Sequence, residues 1–392
     1  METNGMAAVS REWVEALVQD RAQESVHLDF KREQPSKKED GRRELLKDVC
    51  ALANTEGGRI VYGVEEDDDA CASRIVPITG EESDAAQRRL DQSIVDGIQP
   101  RLVGCTVTAL AVASGYVLVI DVPPQYGGPF QSSFNNQRRF TYRQGTINID
   151  MDYNQLRAAF QMRGRALQEA SAWRRSRLNH INDAIRKKRM VDRAWLLVHI
   201  MPFSALFDGN LIDLNALATS NRSVIHEHAD FRTFTADGLL YQDARPGERP
   251  EEFARFFRSG LTEFGWLGDR RPSDGKLLIR GLTAAMTIRH LVHRCARILV
   301  ELGVSGPAYI SLSGLLIESH RLHYRGPDFD EQTPEPWESE MEPPMLEVSS
   351  LSELASSPDI WCRRLSDMLF QTFGLERCPY YDRDDTWKPP RH

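Results

Sequence analysis

The sequence predicts an α+β protein: a mixed-sheet N-terminal domain, a basic helical linker and a second α+β domain. Three observations carry this. At 392 residues the chain exceeds what one hydrophobic core usually serves, so two domains are expected. Short runs of period-two hydrophobicity alternate with helical stripes over residues 1–160 and again over 191–392. Between them, residues 161–190 are strongly basic.

Apolar residues make up 41% of the chain and charged residues 27%, an ordinary globular balance that excludes wholesale disorder. A net charge of −8 excludes a protein whose entire surface grips nucleic acid, and leaves room for a local basic stripe. "METNGMAAVSREW" has no basic start leading into an apolar run, so no secretory signal is expected. The longest apolar runs, from Tyr116 and Trp195, fall far short of the ~20 residues that span a bilayer, so the expectation is a cytoplasmic protein without a membrane partner. Cys50, Cys71, Cys105, Cys295, Cys362 and Cys378 form no CxxC pair and read as reduced core thiols.

Trp13, Val14 and Leu17 share a helical face, so a first helix is expected over residues 11–23. "SVHLDF" alternates apolar and polar residues as a strand does. After a charged loop with Pro35 and Gly41, "RRELLKDVCALAN" carries a helical stripe through Leu45, Leu46, Val49, Cys50 and Leu52. "NTEGG" ends it, because its glycines can take the left-handed backbone of a tight turn. "RIVYGV" reads as an internal strand, "EESDAAQRRLDQSIVDGI" as a helix, and "RLVGCTVTALAV" and "YVLVIDVP" as strands joined at Ser114-Gly115. "RRFTYRQGT" is a last strand before a long helix from Asp152 to Arg189. In the second domain, "AWLLVHIMPFSAL", "LIDLNALA" and "HADFRTFTADGLLYQD" open an α+β segment. The stretch from Gly275 to Val304 reads as a strand turning into a helix, and "PAYISLSGLLIE" as another strand. The acidic, proline-rich residues 327–344 are expected to form an exposed loop, and the tail "RDDTWKPPRH" to be frayed.

Chemistry concentrates in "ESVHLDFKRE". Glu24 and Asp29 are five positions apart, so a continuous strand would send them to opposite faces. They converge only if Glu24 precedes the strand, on the last turn of the first helix. "RIVYGV" runs into Glu65 and Glu66, and pairing beside "HLDF" would bring a third carboxylate to the same edge. Clustered carboxylates repel unless a hard cation such as Mg²⁺ or Mn²⁺ lies between them. Such an ion activates water and stabilises charge on a phosphate undergoing displacement, and Lys31 would add positive charge nearby. Spacing alone leaves a second reading open, in which the acids are solvated charges flanking a strand.

"ESVHLDFK" followed by "LLKDVCALANTEGGRIVYGVEED" resembles the Schlafen AlbA-like domain family. That family's pattern runs E-S-x-x-x-E-F-K, a helix closing in A-x-A-N-T-x-G-G, and a strand ending in G-V-D-D. Pro129-Phe130 and "RFTYRQGT" are similar to its P-Y element and Y-x-R-x-G strand. The resemblance covers residues 10 to 160, as in a single-lobe prokaryotic member. It implies a nucleic-acid-binding fold that in several members is a Mn²⁺- or Mg²⁺-dependent endoribonuclease hydrolysing structured RNA, tRNA especially, with antiphage defence as the analogous role. The catalytic and metal-binding acids carry over to Glu24, Asp29 and Glu66, with Lys31 assisting. Asp29 stands where Glu is common and Glu66 where Asp is common, and Glu65 rivals Glu66 as third ligand. Vertebrate Schlafens join two lobes into a clamp, which here implies a homodimer; their zinc site has no counterpart. No GxxxxGK[ST] is present, since Gly275-Lys276 lacks its context, so no nucleotide cofactor is expected. The alternative is a non-catalytic DNA- or RNA-binding regulator, which needs the basic elements and not the acids.

Those basic elements are Arg138, Arg139 and Arg143, interleaved with Phe140 and Tyr142 as phosphate contact and base stacking require; Arg138, Arg139, Tyr142 and Arg143 are the nucleic-acid candidates. The competing reading is a strand with a charged outer face. Residues 163–189 hold nine Lys or Arg (Arg163, Arg165, Arg174, Arg175, Arg177, Arg186, Lys187, Lys188, Arg189) against Glu169 and Asp183, suiting a solvated or a phosphate-tracking face. Asn54 and Thr55 read as a capped turn, and His290, His293, His320 and His323 as surface or packing residues. The C-terminal domain carries no motif and is assigned a sensing or partner-binding role.

Overall fold

A computed structural model describes residues 9–207, 211–221, 223–225, 230–245, 247–268, 277–325 and 330–388. The chain divides into two compact units, Met1–Arg165 and Ala166–His392.

The first unit runs α1 (Arg11–Gln19), β1 (Leu28–Lys31), α2 (Glu39–Ala53), β2 (Gly58–Tyr62), β3 (Val64–Glu66), β4 (Ala72–Ile75), α3 (Ser83–Gly97), β5 (Ile98–Gln99), β6 (Thr106–Val112), β7 (Gly115–Val122), β8 (Gln131–Phe134), β9 (Gln137–Arg139), β10 (Thr141–Gln144) and β11 (Ile147–Asp150). Its main sheet has the order β1-β2-β7-β6, with β1 parallel to β2 and the other pairs antiparallel. Alternation sorts the sheet's side chains. Ile60, Tyr62, Leu118, Ile120 and Val122 pack with Leu45, Leu46, Val49 and Leu52 of α2 and Leu90 and Ile94 of α3. Phe30, Val61, Val117 and Val119 pack with Val14 on the α1 side. Since Phe30 takes the α1 side, its neighbours Asp29 and Lys31 turn toward α2.

Three expectations change here. The first helix stops at Gln19, and Arg21 takes a left-handed φ of 49°. Glu24 is therefore off the helix, in an extended link whose amide donates to Ala70 O. "RIVYGV" is not one strand: Gly63, at φ +93°, turns the chain so that β3 leaves the main sheet and pairs with β4. "RRFTYRQGT" is not one strand either: it holds the end of β9, which pairs with β8, and β10, which pairs with β11 across a turn at Gly145, φ +63°.

A long helix, α4 (Tyr153–Arg186), follows and crosses the unit boundary. The second unit continues with β12 (Trp195–Pro202), α5 (Phe203–Phe207), α6 (Leu214–Ser220), β13 (Phe231–Phe234), β14 (Gly238–Gln242), β15 (Glu252–Phe257), β16 (Thr262–Leu267), β17 (Leu278–Arg280), α7 (Gly281–Glu301), β18 (Ala308–Leu315), β19 (Arg321–Arg325), β20 (Asp330–Gln332), β21 (Leu346–Val348), α8 (Leu351–Ser356) and α9 (Asp359–Thr372). Its seven-stranded sheet has the order β13-β14-β15-β16-β12-β18-β21. One face packs Leu196, Val198 and Ile200 against α7, α8 and α9; the other packs Trp195 and Leu197 against Leu178, Ile181 and Ile185 of α4.

The basic stretch is thus largely a packed helix. Ala166, Ala170, Arg174, Leu178, Ile181 and Ile185 form its buried stripe. Arg174 donates to Pro343 O, and Arg177 forks onto Glu263 at 3.0 and 2.8 Å, so two of the nine cations face inward. Arg175, Arg186, Lys187, Lys188 and Arg189 are exposed, and Arg163's side chain lies outside the described residues. The tail is ordered through Lys388: Trp387 packs on Tyr380 and Tyr381, and Lys388 pairs with Asp382. Gly275-Lys276 lies outside the described residues. The cysteines are unpaired thiols. Among the described residues no helix is long and apolar enough to cross a membrane.

Glu263 is buried, with Arg177 on one side and His199 Nε2 at 3.2 Å on the other. Burial works against its charge, and the His199 and Arg177 contacts outweigh that to hold its pKa at about 2. Arg177→Leu would leave a buried carboxylate facing His199 alone, so urea melts should show the second unit losing about 3–5 kcal/mol; a loss under about 1 kcal/mol would mean the pair does not matter.

Candidate functional site

The acid corner is built where β1 meets the C-terminal turn of α2. Asn54 closes that helix and clasps its surroundings: Nδ2 donates to Phe130 O at 2.7 Å and Thr141 O at 2.9 Å, while Oδ1 accepts from Phe130 N at 2.7 Å. Thr55 Oγ1 accepts the amide of Arg143 at 2.9 Å. Gly57 and Gly58 follow with φ of +76° and +145°, and a Cβ on either would stand 2.5 Å from a backbone oxygen, of Val122 and His27 respectively. The "NTEGG" turn therefore fixes β10 against β1 and leaves Asn54 and Thr55 as structural residues.

Arg143 is the result. Its side chain is fully buried, donating Nη2 to Asp29 Oδ1 at 2.9 Å and Nε to Ser25 O at 3.1 Å. Asp29 is itself buried, and its other oxygen, Oδ2, lies 2.8 Å from Lys31 Nζ. Burial disfavours the Lys31 charge, but Asp29, and more distantly Asp48 and Glu24, more than offset it and hold its pKa above the usual lysine value. Lys31 is the outward member of the cluster, its side chain 34% exposed.

Glu24 reaches the corner from outside the strand, Oε1 accepting the Phe30 amide at 2.7 Å. Its pKa is raised, by burial first and then by the charges of Asp29 and Glu66, against the pull of the Phe30 amide and Lys31. Glu66, beyond the Gly63 bend, is exposed on β3 and reaches Glu24 only through its field. Glu65 pairs with Arg32 at 2.8 Å and with Arg74.

Glu24, Asp29 and Glu66 do not fit an ion shared by three carboxylates. Among the described residues no three His, Cys, Asp or Glu side chains are grouped to hold a metal, and Asp29's charge is already met by Arg143 and Lys31. Two nucleic-acid candidates also change role. Arg143 is buried, and Tyr142 OH accepts from Gln155 Nε2 at 2.8 Å on the outer side of β10. Arg138 and Arg139 are exposed on β9, Arg139 pairing with Asp150 at 3.2 Å.

A further acid belongs to the corner. Asp48 of α2 is buried, accepts from Asn148 Nδ2 at 2.7 Å, and has its pKa pushed up to about 6 by burial and by Asp29, against the pull of Lys31. Its sequence signal is positional: it stands three residues after Leu45 and four before Leu52, an acid on the helix's apolar stripe.

Residues 24–152 match the family described as Schlafen, AlbA_2, whose members are associated with nucleic-acid binding. This segment is similar to the Schlafen AlbA_2 domain, and the likeness covers less than half of the chain. No curated protein matches the chain. Two solved structures align with 36% of it: the DIP2311 protein from Corynebacterium diphtheriae, at 23% identity and TM-score 0.26, and the N-terminal domain of a protein related to ATP-dependent DNA helicase RecG from Nitrosomonas europaea, at 20% and 0.27. The alignments cover 26% of the first chain and 90% of the second. The Schlafen AlbA_2 segment contains the whole corner, from Glu24 to Asn148.

Ionised Asp48 costs the folded state free energy, because its folded pKa of about 6 exceeds the unfolded value of about 3.8. The cost is absent below about pH 4 and complete once pH passes about 6. Asp48→Asn keeps the Asn148 contact and removes the charge, so it should stabilise the protein by about 1–3 kcal/mol at pH 8 and by nothing at pH 4, read from paired thermal melts.

Proposed function

We propose that the Schlafen AlbA_2 domain binds structured RNA of the tRNA kind through its phosphate backbone, with Lys31, Arg138 and Arg139 as the contacting cations. The observation that carries this is the polarity of the ion cluster: Asp29 and Arg143 are sealed inside, and the member turned to solvent is an ammonium whose charge Asp29 maintains. A point charge on a flexible stem, its ammonium kept charged by Asp29, suits a phosphate oxygen. Arg138 and Arg139 on exposed β9 extend the cationic surface.

A second reading, RNA cleavage, is favoured by one observation. Glu24 is a half-buried carboxyl whose affinity for a proton is raised, the property a general acid or base needs near neutral pH. It would exchange a proton with the attacking or leaving oxygen of a phosphodiester beside Lys31. Mn²⁺ or Mg²⁺ and a second copy of the chain belong to this reading as the family's conditions.

In salt-titrated binding assays with tRNA, replacing Lys31, Arg138 and Arg139 by Gln should weaken binding at least tenfold and lower the log–log salt slope by about 1 for each cation removed. Unchanged affinity would remove this surface from consideration. End-labelled tRNA with Mn²⁺ or Mg²⁺ addresses the second reading: cleavage should vanish in Glu24→Gln while binding persists, and intact RNA with wild-type protein under both ions leaves only the binding role.

A further inference from the structure

Helix α7 carries core residues on one side and a row of ionisable residues on the other. Ala285, Ile288, Val292, Cys295 and Leu299 are buried in the core of the second unit. His290, His293, Arg294, Arg297 and Glu301 follow one another at steps of one, three or four residues and share the opposite face. With Asn221, which closes α6, and the buried Ile298, these five line a cavity of about 250 Å³.

The charges around this cavity do not balance. Outside it, Arg289 of the same helix is neutralised by Asp359 at 2.6 Å. Inside it, Glu301 is the one acid of the lining against two guanidiniums, and it reaches Arg297 at 3.4 Å. Arg294 donates to the carbonyl of Ser223, a neutral partner that fixes the side chain and leaves its charge in place. The Asn221 side is held as well, because Tyr241 OH donates to Asn221 O at 2.9 Å. A solvated basic helix face has no need of tethered arginines or of a cavity; a preorganised anion site has both.

We propose that this cavity binds a small phosphate monoester of sugar-phosphate size, with Arg294 and Arg297 on the phosphate and Glu301 accepting from a ligand hydroxyl. Guanidinium forks match phosphate oxygens in pairs, and the two imidazoles add ring N–H donors. The volume lies just below the ~300–1,000 Å³ of sites for drug-sized ligands, which favours a small molecule over a nucleic-acid chain. Bare phosphate would set a dianion against the Glu301 carboxylate, whereas a hydroxyl-bearing body gives that carboxylate a donor. The inference is independent of the RNA-binding reading, since every residue in it belongs to the second unit.

Calorimetric titration of the full chain with ribose 5-phosphate, alongside ribose and inorganic phosphate, tests the site. Wild-type protein should bind ribose 5-phosphate at least tenfold more tightly than either fragment. Arg297→Gln, at an exposed position whose loss leaves the core intact, should weaken binding at least tenfold. Arg294→Lys should also weaken it by keeping the charge and losing the fork, while Arg189→Gln, an exposed cation outside the cavity, should change nothing. No binding at millimolar ribose 5-phosphate, binding that survives Arg297→Gln, or inorganic phosphate bound as tightly as the sugar phosphate would each overturn the proposal. Displacement of ribose 5-phosphate by a 5′-phosphorylated RNA oligonucleotide would overturn it too, by giving the cavity to a nucleic-acid end.

Discussion

The N-terminal site depends on the buried pair between Arg143 and Asp29. Removing two charges from water costs several kcal/mol per ion, and the attraction offsets this only where geometry and additional hydrogen bonds are good. Here the guanidinium also meets the carbonyl of Ser25, and Lys31 takes the second Asp29 oxygen. The pair joins β1 to β10, two strands of different sheets. A site of this kind is defined by which charges are sealed and which face outward, more than by the number of carboxylates in it.

The second unit uses a buried charge differently. Glu263 on β16 is held by Arg177 from α4 and by His199 across the strand pair, where Ser311 Oγ lies 3.4 Å from His199 Nδ1. Serine, histidine and glutamate in that order suggest acyl chemistry, but all three are fully buried and the acid's main partner is an arginine. The network instead gives α4 a specific seat on the sheet, as buried polar contacts do where apolar packing alone would leave register open.

Much of the first domain was legible in the sequence because its strands alternate and its helices are striped. Odd spacing correctly put Glu24 off β1, and "NTEGG" correctly read as a turn. Glu66 was misplaced because a strand pattern does not reveal where the backbone bends out of the sheet: Gly63 looks like any strand glycine until its positive φ is known. Arg143 read as a phosphate ligand because its partner Asp29 is more than a hundred residues away, and only the fold brings them together. In the second unit β15 and β16 went unseen, since both faces of that sheet are covered and alternation disappears. Helix α8 is short, and the tail is ordered by contacts among Tyr380, Tyr381 and Trp387 that no local rule predicts.

The helix-ending turn of α2 has one more consequence. Asn54 receives the amide of Phe130 and Thr55 that of Arg143, so adjacent residues hold both the "PF" loop and the strand bearing the buried arginine. Neither can loosen without fraying the end of a helix whose inner face is core. The corner should therefore open only in large, rare fluctuations, with the amides of Phe130 and Arg143 exchanging with solvent at the pace of the domain and not at that of a surface loop. A recognition surface on such a base keeps its shape between encounters, and selects partners by fit rather than by moulding itself to them.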